Sequence, residues 1–222
     1  MPNIPWDLVP LDLPGEVTRR AIPRRFAPQQ DLFLQGELPV EIFVLISGRT
    51  KVWRLNEHGV AATLLMLGGG EVVGTLGMIN GTTNPVSVSA IDAVTAVSWP
   101  VSLLREAMAG SAKLANGLLR IVTRRAAQLV DRFDDVANRP VEERLARLLL
   151  RLAGELPLDD EALTIVLELR QQEVADMCFS TVPTISRTLA AWERSDVVEV
   201  SRGRIRINHV SQLAMIAGIP VD

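Results

Sequence analysis

The residues best suited to chemistry lie between positions 171 and 207, where hydroxyl and guanidinium side chains alternate with apolar ones. A helix is predicted from Thr181, with Ser186 and Arg187 on the side opposite the apolar row of Ile185 and Leu189. Arginine can donate two hydrogen bonds to O6 and N7 of guanine, and serine and threonine can bond to phosphates or base edges. The candidate DNA-contacting residues of this helix are Thr181, Val182, Pro183, Thr184, Ser186 and Arg187.

The elements around this helix are those that would position it in a DNA groove. Residues 171 to 177 predict a first short helix, residues 178 to 180 a break, and residues 181 to 193 the second helix of a helix-turn-helix. Two strands at 197–200 and 204–207 then flank a turn and form a hairpin, or wing. Arg202, Arg204 and Arg206 give the wing positive charge that can reach a phosphate backbone. Alternatively, Arg187 is a solvated helix residue that contacts no DNA.

The region from residue 24 to about residue 100 predicts many short strands. Apolar runs at 42–48, 50–55 and 61–67 are bounded by turn residues, among them a turn at 56–59 between the second and third runs and three glycines at 68–70 after the third. Two further stretches, 86–90 and 93–98, alternate small apolar and polar residues. Strands at such short intervals are typical of a barrel or sandwich.

After residue 100 the apolar period changes to that of a long helix. One apolar row has heptad spacing and predicts a dimer seam; its members are Ala115, Leu119, Val122, Ala126, Leu129, Phe133 and Val136. A second row, Leu114, Leu118 and Ile121, lies beside it. The helix can therefore pack both on its own domain and on a twin, although it could instead lie on the barrel alone.

Three segments follow from these patterns, in an α+β fold. A strand-rich domain spans 1–110, the long helix 111–138, and a winged helix-turn-helix domain 139–222. The last segment opens with a helix at 141–153, continues through an acidic loop at 155–163 and a strand at 164–169, and then reaches the helix-turn-helix.

Composition limits the remaining classes of function. No apolar run is long enough to span a bilayer, and the first residues lack a signal-peptide pattern, so a cytoplasmic protein without a membrane partner is expected. The net charge of −3 means that phosphate binding needs local positive charge. The single cysteine, Cys178, excludes an intramolecular disulfide and a cysteine-ligated cluster within one chain.

Together these motifs resemble the CRP/FNR family of dimeric bacterial regulators along nearly the whole chain. Residues 181–187 and 212–218 are similar to the reading helix and the C-terminal end of the FNR branch, and residues 26–48 and 70–77 to the family's cyclic-nucleotide-binding-like domain. The resemblance implies a double-stranded β-roll, a long dimer helix and a winged helix-turn-helix. It also implies a homodimeric transcription regulator, not an enzyme, that binds double-stranded DNA at a palindromic promoter site and has RNA polymerase as a partner.

The sequence departs from the cyclic-AMP-binding members of the family at two positions. Those members carry a glutamate that holds the ribose and an arginine that neutralises the cyclic phosphate; here the corresponding residues are Thr75 and Asn84. Because a buried phosphate without a cation is costly, we expect cyclic-AMP binding to be lost or very weak. By analogy, the effector pocket is expected to include Gly74, Thr75, Leu76, Asn84, Pro85, Val86, Leu118 and Arg125.

Other cofactors of the family have few candidate ligands here. The cysteines that hold an iron–sulfur cluster in oxygen sensors are missing, and the histidines are only His58 and His209. No cofactor is therefore predicted, and the effector is unknown; a haem- or small-molecule-dependent sensor is the alternative. Arg124 and Arg125 could offer charge to an anionic effector, or they could simply form a solvated helix face.

The reading helix also departs from many relatives. Pro183 stands where they carry a glutamate that accepts from cytosine N4, and Val182 stands at another common arginine position, where it could touch a thymine methyl group. We therefore expect a different target sequence.

A cupin-like barrel enzyme remains an alternative function, but it would need a cluster of histidines and carboxylates. A third alternative is a sensor that binds a protein rather than DNA.

Overall fold

The computed structural model of the chain describes residues 4–154, 165–167 and 170–219. The acidic loop predicted at 155–163 and parts of the strand predicted at 164–169 lie outside these residues. The chain divides into two compact units, Met1–Leu129 and Val130–Asp222, and the division falls within one long helix.

The first unit contains eight strands and the helices around them. A short 3-10 turn (Trp6–Leu8) and helix α1 (Gly15–Arg19) come before the strands. The strands are β1 (Ile22–Phe26), β2 (Asp31–Phe33), β3 (Glu41–Ser47), β4 (Thr50–Leu55), β5 (Ala61–Leu67), β6 (Val72–Val73), β7 (Ser87–Ala90) and β8 (Val94–Pro100). The remaining helices are α2 (Thr75–Asn80), which lies between β6 and β7, α3 (Val101–Gly110) and α4 (Ala112–Asn138).

The eight strands form two antiparallel sheets, with orders β1-β8-β3-β6 and β2-β7-β4-β5. Side chains from both sheets, among them Phe43, Leu45, Val52 and Leu65, form one buried cluster. The closely spaced strands predicted a barrel or a sandwich, and the two sheets form a β-sandwich.

The uninterrupted apolar run of strand β3 is explained by burial on both of its faces. Phe43 and Leu45 belong to the cluster between the sheets, whereas Ile42 and Val44 belong to a second cluster formed with the helices. Successive side chains of a strand point to opposite faces, and here both faces are covered. The second cluster also contains Trp99, whose Nε1 donates to the carbonyl oxygen of Val17 at 2.8 Å.

In its described residues, the second unit has four helices after the end of α4, together with a small sheet. After the end of α4 come α5 (Val141–Gly154), β9 (Ile165–Leu167), α6 (Gln171–Met177), α7 (Val182–Arg194), β10 (Val198–Ser201), β11 (Arg204–Ile207) and α8 (Val210–Ile216). The three strands pair antiparallel in the order β10-β11-β9. In the described part of the chain, no helix is both long enough and apolar enough to cross a membrane.

Candidate DNA-binding surface and effector cavity

Helix α7 has one buried face that fixes its orientation in the second unit. Ile185, Leu189 and Trp192 are buried along this face, at the spacing of successive helical turns. The indole Nε1 of Trp192 donates to Glu142 Oε1 on α5 at 3.1 Å. The helix is therefore held at both its apolar row and a polar contact, and its opposite side is left for solvent or a partner.

The N-terminal end of α7 presents the residues that the sequence singled out. Thr181 has extended backbone at the N-cap position, and Pro183 lies within the first turn, where its missing N–H costs little. Pro183 and Arg187 are exposed and lie one turn apart on the same side of the helix. Ser186 and Val182 are half-buried, as is Thr184, whose hydroxyl oxygen lies 3.0 Å from that of Thr181.

The turn before α7 contains no glycine, and the side chain of Arg144 on α5 holds its backbone. Phe179 adopts a φ of 48°, which is unusual for a bulky residue, and its side chain is exposed. Arg144 Nε donates to the carbonyl oxygen of Cys178 at 3.2 Å.

Burial raises the pKa of the Cys178 thiol to about 12, against the opposing effect of Arg144, so this cysteine is a packing residue and not a reactive thiolate.

The wing is the hairpin of β10 and β11. Arg202 and Arg204 are exposed at its turn, as the sequence predicted for cationic groups at a loop tip. Arg206 was expected to add to this charge, but its Nη1 pairs with Glu199 Oε2 across the hairpin at 3.0 Å. The positive charge of the wing is consequently smaller than the sequence alone implied.

The two apolar rows of α4 have different environments. Leu114, Leu118 and Ile121 are buried in the helix-facing cluster of the first unit. The predicted seam row is more exposed: Ala115 and Val122 are half-buried, whereas Ala126, Leu119, Leu129, Phe133 and Val136 are exposed. Within a single chain, this row therefore has apolar surface left to cover.

A cavity of about 160 Å³ lies in the first unit between the two-sheet β-sandwich, hereafter the β-roll, and α4. All the predicted pocket residues line it except Leu118, which instead belongs to the buried cluster on the other side of the helix. The sequence missed many of its apolar walls, namely Phe33, Val52, Leu64, Leu65, Val73, Gly77 and Val88. It had assigned three further lining residues, Val122, Ala126 and Leu129, to the dimer seam alone.

Arg125 is the only charged side chain that lines the cavity among the described residues. Its Nη2 donates to Glu71 Oε2 at 3.0 Å, and Arg124 Nη2 donates to Glu71 Oε1 at 2.9 Å. Burial lowers the pKa of Arg125, and the hydrogen bond that Arg125 donates to Glu71 opposes this shift. The Nε of Arg125 is buried and has no hydrogen-bond partner within the described chain.

Thr75 and Asn84 occupy the cavity wall, and both are buried. Neither residue supplies a charge there. Gly74, which precedes Thr75, has a φ of 94°, and a Cβ at this position would lie 3.1 Å from the carbonyl oxygen of Glu41. Over the residues that the structure covers, no three histidine, cysteine, aspartate or glutamate side chains form a group suited to a metal ion.

Two protein-family models match separate parts of the chain. Residues 23–111 match the model of the cyclic nucleotide-binding domain, and residues 143–216 match that of the Crp-like helix-turn-helix domain. The chain is 25% identical over 199 residues to the CRP-like cAMP-activated global transcriptional regulator of Mycobacterium tuberculosis, covering 89% of both proteins. It is also 25% identical over 186 residues to the global nitrogen regulator of Synechococcus elongatus, covering 82% of this chain and 84% of that protein.

Solved structures show the same architecture. FixK2 from Bradyrhizobium japonicum superposes with a TM-score of 0.79 at 16% identity, covering 91% of this chain and 98% of that one. The fold of a cyclic-nucleotide-binding-type β-sandwich, a long helix and a C-terminal helix-turn-helix domain is therefore shared. These regulators are not enzymes, and the chain belongs to the CRP/FNR family of transcription regulators with a helix-turn-helix DNA-binding domain.

Proposed function

We propose that this regulator acts as a homodimer that binds a palindromic promoter site through α7. The observation that carries the proposal is the solvent-facing side of that helix, where Arg187 lies opposite the buried row of Ile185, Leu189 and Trp192. A helix held in this way can enter the major groove with its N-terminal residues on base edges.

The contacts that α7 offers define the kind of sequence it would read. Arg187 can pair with guanine through O6 and N7, and Ser186 can add a hydrogen bond. Pro183 has no acceptor for cytosine N4, so the half-site is expected to lack the contact that a glutamate would make there. Arg202 and Arg204 at the tip of the wing would contact phosphates and set affinity rather than sequence.

The apolar seam row of α4 supports the homodimer. Its residues recur with heptad spacing, and several are exposed in a single chain. A parallel pair of such helices buries this row against its own copy, and a two-fold protein dimer matches a palindromic operator.

The signal is proposed to be neither cyclic AMP nor an iron–sulfur cluster. Thr75 and Asn84 at the cavity wall support the first part, since they stand where cyclic-AMP-binding members carry the glutamate for the ribose and the arginine for the cyclic phosphate, and the cation that does line the cavity, Arg125, is already paired with Glu71. We propose instead that a small molecule in the β-roll cavity is the effector, and that RNA polymerase is a further partner at the promoter.

Selection of bound DNA from a random pool, with and without cell extract, tests this function. The expected product is a palindrome whose half-sites lie about one helical turn apart. Binding measured by gel shift should fall steeply with salt, because cationic side chains release counterions from the phosphates. Recovery of no enriched sequence under either condition would refute the proposal.

Two arginine variants separate base reading from backbone binding. Arg187→Ala is expected to lose about 1–3 kcal/mol of discrimination at one guanine while keeping its affinity for random DNA. Arg202→Ala is expected to weaken both kinds of binding and to reduce the salt slope by about 1. Arg194→Ala, an exposed arginine in the last turn of the same helix, is the matched control and should alter neither.

A further inference from the structure

The walls of the β-roll cavity favour an apolar ligand body. Apart from Thr75, Asn84 and Arg125, the residues that line the cavity are apolar side chains and glycines. Its volume of about 160 Å³ is close to that of an apolar protein cavity of about 150 Å³ that binds benzene. The cavity is therefore suited to a body the size of one ring, and its apolar walls would not repay the desolvation of a sugar or a second charged group.

The charges at the cavity favour one negative group on that ligand. Arg125 on the cavity wall and Arg124, which is 55% exposed and does not line the cavity, share the single carboxylate of Glu71, so the three groups together carry one positive charge. Arg125 keeps only 14% of its side-chain surface exposed, and its Nε has no acceptor within the described residues. An unpaired donor on a buried cation is costly, so a monoanion that accepts from this guanidinium would relieve the cost.

Two neutral groups could complete the contact. Thr75 and Asn84 are 1% and 3% exposed, and within the described chain no hydrogen bond is formed by the hydroxyl of Thr75 or the side-chain amide of Asn84. Both residues line the same cavity as Arg125. A hydroxyl, an amide and a guanidinium on the wall of one apolar cavity are donors that a carboxylate can accept from.

We infer that the cavity binds a small monocarboxylic acid with an apolar, ring-sized body, whose carboxylate is held by Arg125. The inference rests on the proposed role of this cavity as the effector site, and it names the chemical class of the effector. On binding, the ligand carboxylate competes with Glu71 for the Arg125 guanidinium.

Calorimetric titration of the full-length protein with a small panel of compounds tests the inference. Benzoate and phenylacetate are the probes; benzamide and benzyl alcohol are neutral counterparts of similar shape, and succinate is a polar dianion. At least one of the two acids is expected to bind about ten-fold or more tightly than its neutral counterpart and than succinate, as expected when one charge-assisted contact is lost. Equal binding of acid and neutral compound, or no binding of either acid, would overturn the inference.

Variants on both sides of the ion pair locate the contact. Arg125→Met keeps the length of the side chain and should weaken acid binding about ten-fold or more, whereas Arg120→Met, an exposed arginine on the same helix that does not line the cavity, should leave it unchanged. Glu71→Gln removes the competing carboxylate and should tighten binding. If Arg125→Met does not fold, Glu71→Gln decides: unchanged or weaker acid binding in that variant would overturn the inference.

Failure of this inference is distinguishable from failure of the proposed function. The titrations contain no DNA, and the gel shifts that test operator binding can be made without ligand. A protein that binds its selected operator but no monocarboxylate would refute the ligand class alone, whereas one that binds a monocarboxylate but no DNA would refute the proposed function.

Discussion

Replacement of Phe133 by alanine is the sharpest test of the proposed dimer. Phe133 is 76% exposed in the single chain, although it lies in the apolar seam row of α4. A phenylalanine buries on the order of 200 Å² when fully covered, so roughly 150 Å² of apolar surface remains to be covered by a partner. Alanine keeps Cβ, so we expect the substitution to reduce the free energy of dimerisation by about 2 kcal/mol per protomer, within the usual range for burial of one apolar side chain.

In a two-fold dimer each substitution occurs twice. The total loss is then about 4 kcal/mol, which raises the dimer dissociation constant about a thousandfold. Sedimentation velocity over a range of protein concentrations measures this constant directly. Met215→Ala is the matched control, since Met215 is also an exposed apolar residue of the second unit but lies on α8 and is not part of the seam row.

The reasoning is refuted if Phe133→Ala and the wild-type protein dissociate at the same concentration. It is equally refuted if the wild-type protein sediments as a monomer at concentrations at which the operator is bound. A general folding defect is not expected, because the side chain has few contacts within its own chain; circular dichroism of the variant checks this.

Three further predictions concern the helix-turn-helix unit. In urea denaturation, Phe179→Gly should have a free energy of unfolding about 1 kcal/mol higher than Phe179→Ala, because both variants lose the ring but only glycine adopts a φ of 48° without strain. Equal free energies of unfolding would show that the backbone at this position is not strained. Cys178, with a pKa of about 12, should be inert to Ellman's reagent at pH 8 in the folded protein and react on unfolding in urea, since only about one thiol in ten thousand is ionised at that pH. Trp192→Phe should lower the free energy of unfolding by about 1–2 kcal/mol through loss of the hydrogen bond to Glu142, and Trp192→Phe combined with Glu142→Gln should show less than additive loss.

Local patterns predicted the helix-turn-helix closely. The first helix was predicted at 171–177 and is Gln171–Met177, while the second begins one residue later than predicted because Thr181 is its extended N-cap. Strands β4 and β5 also have their predicted bounds, because the turn at 56–59 and the glycines at 68–70 mark their ends. In each case residues close in sequence set the conformation.

The cavity walls were harder to predict because they come from distant segments. The β4–β5 pairing shifts register next to Val52, and Leu64 and Leu65 both line the cavity although they are consecutive. A bulge re-aims side chains in this way without a sequence signal of its own. Leu118 was assigned to the cavity because it lies on the right helix, but the rotation of α4 places it in the core on the other side.

The face of α7 that would read DNA could be identified from the sequence, since helical periodicity places Arg187 opposite Ile185 and Leu189 whatever surrounds the helix. The loss of the charged pair at Thr75 and Asn84 was equally visible there. Only the tertiary structure brought Glu71 against Arg124 and Arg125 beside an apolar cavity. That arrangement depends on how the β-roll packs on α4, and the charge balance of a buried site depends on distances between residues far apart in the chain.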